Sequence, residues 1–334
     1  RRSSDLATLE EKQIALGKLE EVKNEALNQV SQAHSNNDVK IAENNGIAKI
    51  SEVHPETIIK RNAKQEIEQD AQSQIDTINT NNKSTNEEKS AAIDRVNVAK
   101  IDAINNITNA TTTQLVNDAK NSGNTSITQI LPSTAVKTNA LAALATEAKN
   151  KNAIIDQTPN ATAEEKEEAN NKVDGLQEEA DANILKAQTT EEVNNIKNQA
   201  VQNINAVQVE VIKKQNVKNQ LNQFIDNQKK IIENTPDATL EEKAEANRLL
   251  QNVLTSASDE IANVDHNNEV DQALDKARPK IEAIVPQVSK KRDALNAIQE
   301  AFNSQTQEIQ ENQEATNEEK TEALNKINQL LKIG

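Results

Sequence analysis

Residues 158–187 read TPNATAEEKEEANNKVDGLQEEADANILKA. This stretch decides the fold. Thr162 followed three residues later by Glu165 is a capping-box signature. The hydroxyl takes the N3 amide, and the carboxylate returns to the cap amide. Glu164 and Glu165 also face the positive end of the helix that follows. Ala169, Val173, Leu176, Ala180, Ile184 and Ala187 then recur at steps of three and four, which is one face of an α-helix. Pro159 just before the cap halts whatever helix precedes it.

The same motif, Thr-x-Glu-Glu-Lys, begins at Thr8, Thr85, Thr162, Thr239 and Thr316. The step from Thr8 to Thr85 is seventy-seven, and every later step equals it. Other columns keep this register: Val39, Val116, Val193 and Val270; Ile50, Ile127, Ile204 and Ile281; Ile78, Ile155, Ile232 and Ile309; Lys60, Lys137, Lys214 and Lys291. A period fixed over the chain marks a repeat architecture. Counted from the cap, the repeats are 8–84, 85–161, 162–238 and 239–315. Residues 1–7 read as the end of a preceding repeat, and 316–334 as the first helix of a partial fifth. The chain therefore reads as a piece of something longer.

Each repeat holds three helical stretches. In the first repeat the opening helix carries Ala15, Leu19, Val22, Ala26, Val30 and Ala33. The second helix is expected to begin after Asn36, Thr113, Thr190 or Asn267, all good N-cap types. Its Gly46 column continues as Gly123, Ala200 and Ala277, and only small residues there imply close helix approach. The third helix is expected to open at Pro55, Pro132 and Pro286, since proline suits the first helical position. Val209 replaces proline in the third repeat, so its second and third helices could fuse. One long helix in every repeat is disfavoured, because it would bring the Lys60 column onto the apolar seam at a cost. Asn82 and Gln313 stand where Pro159 and Pro236 stand, so those junctions could be nearly helical or simple polar loops.

Three amphipathic helices with short connections predict an all-α fold of three-helix-bundle modules, one per period, stacked end to end into an elongated rod. An odd helix count sends the chain onward instead of back. At ~1.5 Å per residue a module is about 40 Å long and four make about 160 Å. Many inward columns are Ala, so modest stability per module and support from neighbours are expected.

Composition narrows the function classes. The net charge is −15, which argues against nucleic acid and anionic membrane as partners. No apolar run is long enough to span a bilayer, and Arg1 to Asp5 are followed by no signal-peptide core. Cys is absent, so neither disulfides nor thiolate metal sites are available. Like-charged rods resist lateral association, so a monomer is expected.

No catalytic, cofactor or metal site emerges. His34, His54 and His266 do not recur in their columns, as ligands of a repeating site would, and read as solvated turn residues. The Glu10–Glu11 and Glu164–Glu165 pairs fit helix capping better than general acid–base catalysis. Phosphate-loop, nucleophile-elbow, zinc-helix and EF-hand patterns are missing. Phe302 shares the inward column of Ala71, Ala148 and Ile225 and reads as core. Phe224 reads as a flank of that core. The Lys60 column reads as a solvated face. Asn106-Ile107-Thr108 is a chance triplet in an Asn-rich chain.

The Thr-x-Glu-Glu-Lys cap, the Ala/Val/Ile heptads, the second helix spelled Val-x-x-Ala-x-x-x-Gly-x-x-x-Ile and the Thr-Pro-Asn-Ala-Thr junction together resemble a known repeat. It is the tandem helical repeat of uncharacterised function in giant staphylococcal cell-wall-anchored surface proteins. The resemblance covers essentially the whole chain. It implies an extracellular stalk with a part in adhesion, cell clustering or biofilm formation, and no catalytic residues. Two roles follow: a spacer, or a set of weak multivalent binders of host matrix, plasma or bacterial-surface ligands. The recurring columns are mostly cap and core, which favours the spacer.

Overall fold

The computed structural model describes residues 6–333; residues 1–5 and 334 lie outside it, and with them most of the segment 1–7. The described residues form thirteen α-helices: α1 (Leu9–Ser31), α2 (Asn36–Glu52), α3 (Ile58–Thr80), α4 (Asn86–Asn109), α5 (Thr113–Thr128), α6 (Ala135–Asp156), α7 (Ala163–Lys186), α8 (Thr190–Ala206), α9 (Lys213–Glu233), α10 (Leu240–Asn263), α11 (Asn267–Glu282), α12 (Lys290–Glu311) and α13 (Asn317–Ile333). No strand occurs among them.

The caps fall where the sequence places them. Thr8, Thr85 and Thr239 form reciprocal capping boxes with Glu11, Glu88 and Glu242. Thr162 and Thr316 make the same pair of hydrogen bonds. All repeat junctions break the helix, with or without proline. Asn160 and Asp237, after Pro159 and Pro236, have φ 62°, a left-handed conformation that Asn and Asp tolerate better than other side-chain-bearing residues.

Three expectations need correction. The second helices start one residue early: Ser35, Thr112 and His266 are the N-caps, and Asn36, Thr113 and Asn267 are the first helical residues. The prolines sit in the connection, three residues before α3 and α6, because the intervening residues are not helical. The second and third helices of the third repeat are separate, since α8 ends at Ala206 and α9 begins at Lys213.

The bundle itself is also out of phase with a repeat counted from its cap. The chain divides into two compact units, residues up to 150 with 174–206, and 151–173 with residues from 207 onward. In the first, α3 packs with α4 and α5 around Ile67, Ile78, Val96, Ile107, Val116 and Ile127. In the second, α9 packs with α10 and α11 around Leu221, Ile225, Leu250, Ile261, Val270 and Ile281. A bundle is thus the third helix of one repeat joined to the first two helices of the next. Each of these side chains, buried to 2% exposure or less, contributes roughly 1.5–3 kcal/mol before entropy is subtracted.

The small-residue column does what its composition requires. A Cβ placed on Gly123 would strike Cβ of Ala103, and one on Gly46 would lie 2.7 Å from Cβ of Ala26. Phe224 flanks the α9–α11 core, with the Arg278 guanidinium 5.1 Å over its ring, a cation–π contact. Phe302 is not core but half-exposed, because no residue of α12 is fully buried. The α1–α2 pair is similarly open along one seam: Val39 is 38% exposed, whereas Val116, Val193 and Val270 are 0% exposed.

Candidate functional site

The feature that recurs with the most chemistry is the joint where consecutive bundles meet, and the Thr-x-Glu-Glu-Lys motif builds it. Three helix N-termini converge there. Each presents amides that lack intrahelical acceptors, and two carboxylates satisfy them.

The second Glu serves two helices at once. Glu11 accepts the Thr8 amide at 2.8 Å through one oxygen, and the amides of Ile58 and Ile59 at 2.9 and 3.1 Å through the other. Those two amides begin α3, whose own N-cap makes no side-chain hydrogen bond. Glu165 takes Ile212 and Lys213 at 2.8 and 2.7 Å, and Glu242 takes Ser289 and Lys290 at 2.8 and 3.1 Å. Glu88 takes the Ser133 hydroxyl at 2.8 Å and the Val136 amide at 3.1 Å.

The first Glu reaches a later repeat. Glu10 accepts the Thr113 amide and hydroxyl, both at 3.0 Å, and Glu87 accepts those of Thr190, both at 2.9 Å. Glu164 accepts the Asn267 amide at 3.0 Å, and Nδ1 of His266 lies 3.3 Å away. Paired backbones close the same contact: Leu9 N–H to Thr111 C=O, Asn86 to Gln188 and Ala163 to Asp265, at 2.9, 2.8 and 2.8 Å. The motif lysine closes the opposite polarity. Lys89, Lys243 and Lys320 donate to the carbonyls of Asn79, Glu233 and Gln310 at the end of the preceding helix.

Three members of the Lys60 column are not on a solvated face, while Lys291 is exposed as expected. Lys60, Lys137 and Lys214 are only 3–6% exposed. Their ammonium groups donate to Thr108, Leu185 and Ala262 carbonyls at 2.8 Å each, the C-terminal end of the first-position helix. Lys137 also reaches the Asn82 carbonyl at 2.9 Å. A cation at a helix C-terminus complements the dipole, so a buried lysine is satisfied there. Sequence reading also missed Gln74 and Gln228, whose side-chain amides donate to Ile130 and Ile284 carbonyls at 2.7 Å.

These hydrogen bonds favour the ionised form of Glu10, Glu87, Glu88, Glu164, Glu165 and Glu242. The Thr190 amide, with Glu87's own amide and the Thr190 hydroxyl, draws Glu87 down to about 2. The Thr239 amide, then those of Ser289 and Lys290, bring Glu242 down to about 2. Glu10 and Glu164 are lowered in the same way, chiefly by amides. Burial pushes Glu88 and Glu165 up, but the surrounding amides outweigh it and both end lower than usual. Each of these carboxylates accepts from more than one donor, an arrangement that ties helix starts together.

His34 and His54 are exposed and stand outside the joint; His266 is exposed at the α11 cap. Among the described residues no group of three or more His, Cys, Asp or Glu is gathered as a metal would need. No helix of the described residues is long and apolar enough to cross a membrane.

An all-α chain of bundles locked through repeated caps is a tandem helical-repeat protein. The chain belongs to the family described as Domain of Unknown Function (DUF1542), which matches residues 2–58, 59–135, 136–212, 213–289 and 290–333. Those segments open at a third-position helix, so 59–135 holds the α3–α5 bundle and 213–289 the α9–α11 bundle. The chain is 27% identical over 97% of its length to the extracellular matrix-binding protein EbhA of Staphylococcus aureus strain Newman, of which it spans 9%. It is equally similar to the extracellular matrix-binding protein ebh of strain NCTC 8325 / PS 47, of which it spans 3%. With EbhA of strain Mu3 the identity is 28%, over 5% of that protein. No solved structure matches.

Proposed function

We propose that this chain is a non-enzymatic segment of an extracellular bacterial surface adhesin, and that it acts as an extended stalk. The observation that carries this reading is the joint. The residues that recur in every repeat are spent on burial, capping and bundle-to-bundle locking, and an element that must only transmit length and stiffness needs just those. The relatives are giant proteins of which this chain spans 3–9%, which fits many such segments in series. In this reading the stalk is anchored at the cell wall and supports adhesion, clustering or biofilm formation by holding other parts outward. Its acidic surface keeps neighbouring stalks apart.

The relatives' printed name, extracellular matrix-binding protein, supports a second reading. Here each repeat binds a host matrix or plasma ligand weakly, and copy number supplies avidity. Surface plasmon resonance of the intact chain over immobilised matrix and plasma proteins separates the two. The control keeps every buried residue and scrambles the exposed ones. The stalk reading predicts the same negligible response from both. Saturable binding by the native surface alone would replace it with the second reading.

A further inference from the structure

The three joints that the first Glu closes are not chemically equal. In the first, the Thr113 hydroxyl donates to Glu10 at 3.0 Å and lies 3.4 Å from the Thr8 hydroxyl. In the second, the Thr190 hydroxyl donates to Glu87 at 2.9 Å and lies 3.1 Å from that of Thr85. One hydroxyl thus meets both the first Glu and the buried cap. In the third joint the same column carries Asn267. Glu164 keeps the backbone contact, with the Asn267 amide at 3.0 Å, but position 267 has no hydroxyl to join Glu164 to the fully buried Thr162. Among the described residues, the Asn267 side-chain oxygen is buried and has no hydrogen-bond partner. A buried polar atom left unpaired costs stability instead of adding it. What stands in is His266, whose Nδ1 lies 3.3 Å from Glu164. That side chain is 56% exposed, so water competes for the contact and it contributes little.

We infer that the joint of Thr162 and Glu164 with Asn267 is the weakest of the three, a point of local opening built into the fold. The start of α11 parts from Glu164 and Thr162 at a lower cost than the starts of α5 and α8 part from their partners. The difference lies in one column. All three joints share the buried cap Thr, the first Glu and a backbone pair at 2.8–2.9 Å, and they diverge at Thr113, Thr190 and Asn267. Local opening costs vary across a structure, and an element that yields while the rest stays folded is drawn from the low end. Under thermal motion or load the chain therefore relaxes first at this joint, while those at Thr8 and Thr85 stay closed. The inference stands whether the repeats are spacers or binders.

Hydrogen exchange on the intact chain tests it through the amides of Thr113, Thr190 and Asn267, each of which donates to a first Glu. Protection factors, which remove differences in intrinsic exchange, are compared. The Asn267 amide is expected to be the least protected of the three. Asn267→Thr supplies the missing hydroxyl, and Thr113 and Thr190 show that the seat accepts one. It is expected to raise protection at position 267 by about threefold or more, near the low end of what one hydrogen bond is worth, and to leave Thr113 unchanged. The reciprocal Thr190→Asn is expected to lower protection at position 190 by a similar factor. Circular dichroism verifies that both variants keep the helical fold. An Asn267 amide as protected as those of Thr113 and Thr190 overturns the inference. So does N267T with unchanged exchange at position 267, or T190N with unchanged exchange at position 190.

Discussion

Glu87 and Thr190 are 103 residues apart in the chain, yet Glu87 Oε2 accepts both the amide and the hydroxyl of Thr190 at 2.9 Å. Glu87 sits in the first turn of α4 and Thr190 opens α8, so one bundle caps a helix of another. The contact recurs one repeat earlier between Glu10 and Thr113. A motif that looks local is therefore shared property of several helices, and its substitutions act at a distance.

Thr85→Ala removes a fully buried N-cap and its 3.1 Å hydroxyl contact with Thr190. Loss of an N-cap costs about 1 kcal/mol. The expected outcome is a lower denaturant midpoint with an unchanged slope. The exposed Thr111→Ala, one connection away, is expected to leave the midpoint where it was.

Lys137→Ala leaves the carbonyls of Leu185 and Asn82 without their donor. Losing hydrogen bonds from a charged donor costs about 1.5–3 kcal/mol, and the lost aliphatic stem adds to this. Arginine is too long and planar for the seat, so K137R is expected to recover little. Chemical denaturation of the two variants measures both effects. A K137A chain as stable as the parent would return the lysine column to the surface.

Gly123→Ala places a methyl against Ala103 on the facing helix. Overpacking of this kind costs about 1–3 kcal/mol, more than the ~1 kcal/mol that alanine gains over glycine in a helix. Adding Ala103→Gly makes room again. The double variant is expected to be more stable than G123A alone, and a double-mutant cycle reads that coupling.

Acid should loosen the joints. Glu87 and Glu242 titrate at about 2 in the folded chain against an ordinary 4.5, and Glu10, Glu88, Glu164 and Glu165 shift the same way. A depressed carboxylate contributes stability that is full above its unfolded pKa and disappears as pH falls through the folded one. Stability is therefore expected to hold down to about pH 5 and to fall between about 4.5 and 2. Melts followed by circular dichroism across that range check the window.

How much of this was legible in the sequence depended on whether a role is local. The Thr8, Thr85 and Thr239 caps were plain, because donor and acceptor lie three residues apart. The Gly123 column was plain because only a close approach excludes larger residues. The Lys60 column was misread. Recurrence shows that a residue is kept, not whether it is buried, and the acceptor of Lys60 lies 48 residues onward, at Thr108. The bundle's phase was hidden for a related reason. A strict period looks the same wherever counting starts, so the choice between α3 with α1–α2 and α3 with α4–α5 needed packing to decide it. The first Glu's reach to Thr113 or Thr190 left no signal beyond the constancy of the motif.

Hydrogen exchange on the intact chain tests the interlock most directly, through the Thr190 amide in the parent and in Glu87→Ala. If a carboxylate of the α3–α5 bundle caps α8, the substitution is expected to speed Thr190 exchange about tenfold or more. The Thr113 amide, capped by Glu10, would keep its protection. Unchanged exchange at Thr190 would contradict the claim that neighbouring bundles are joined through shared caps.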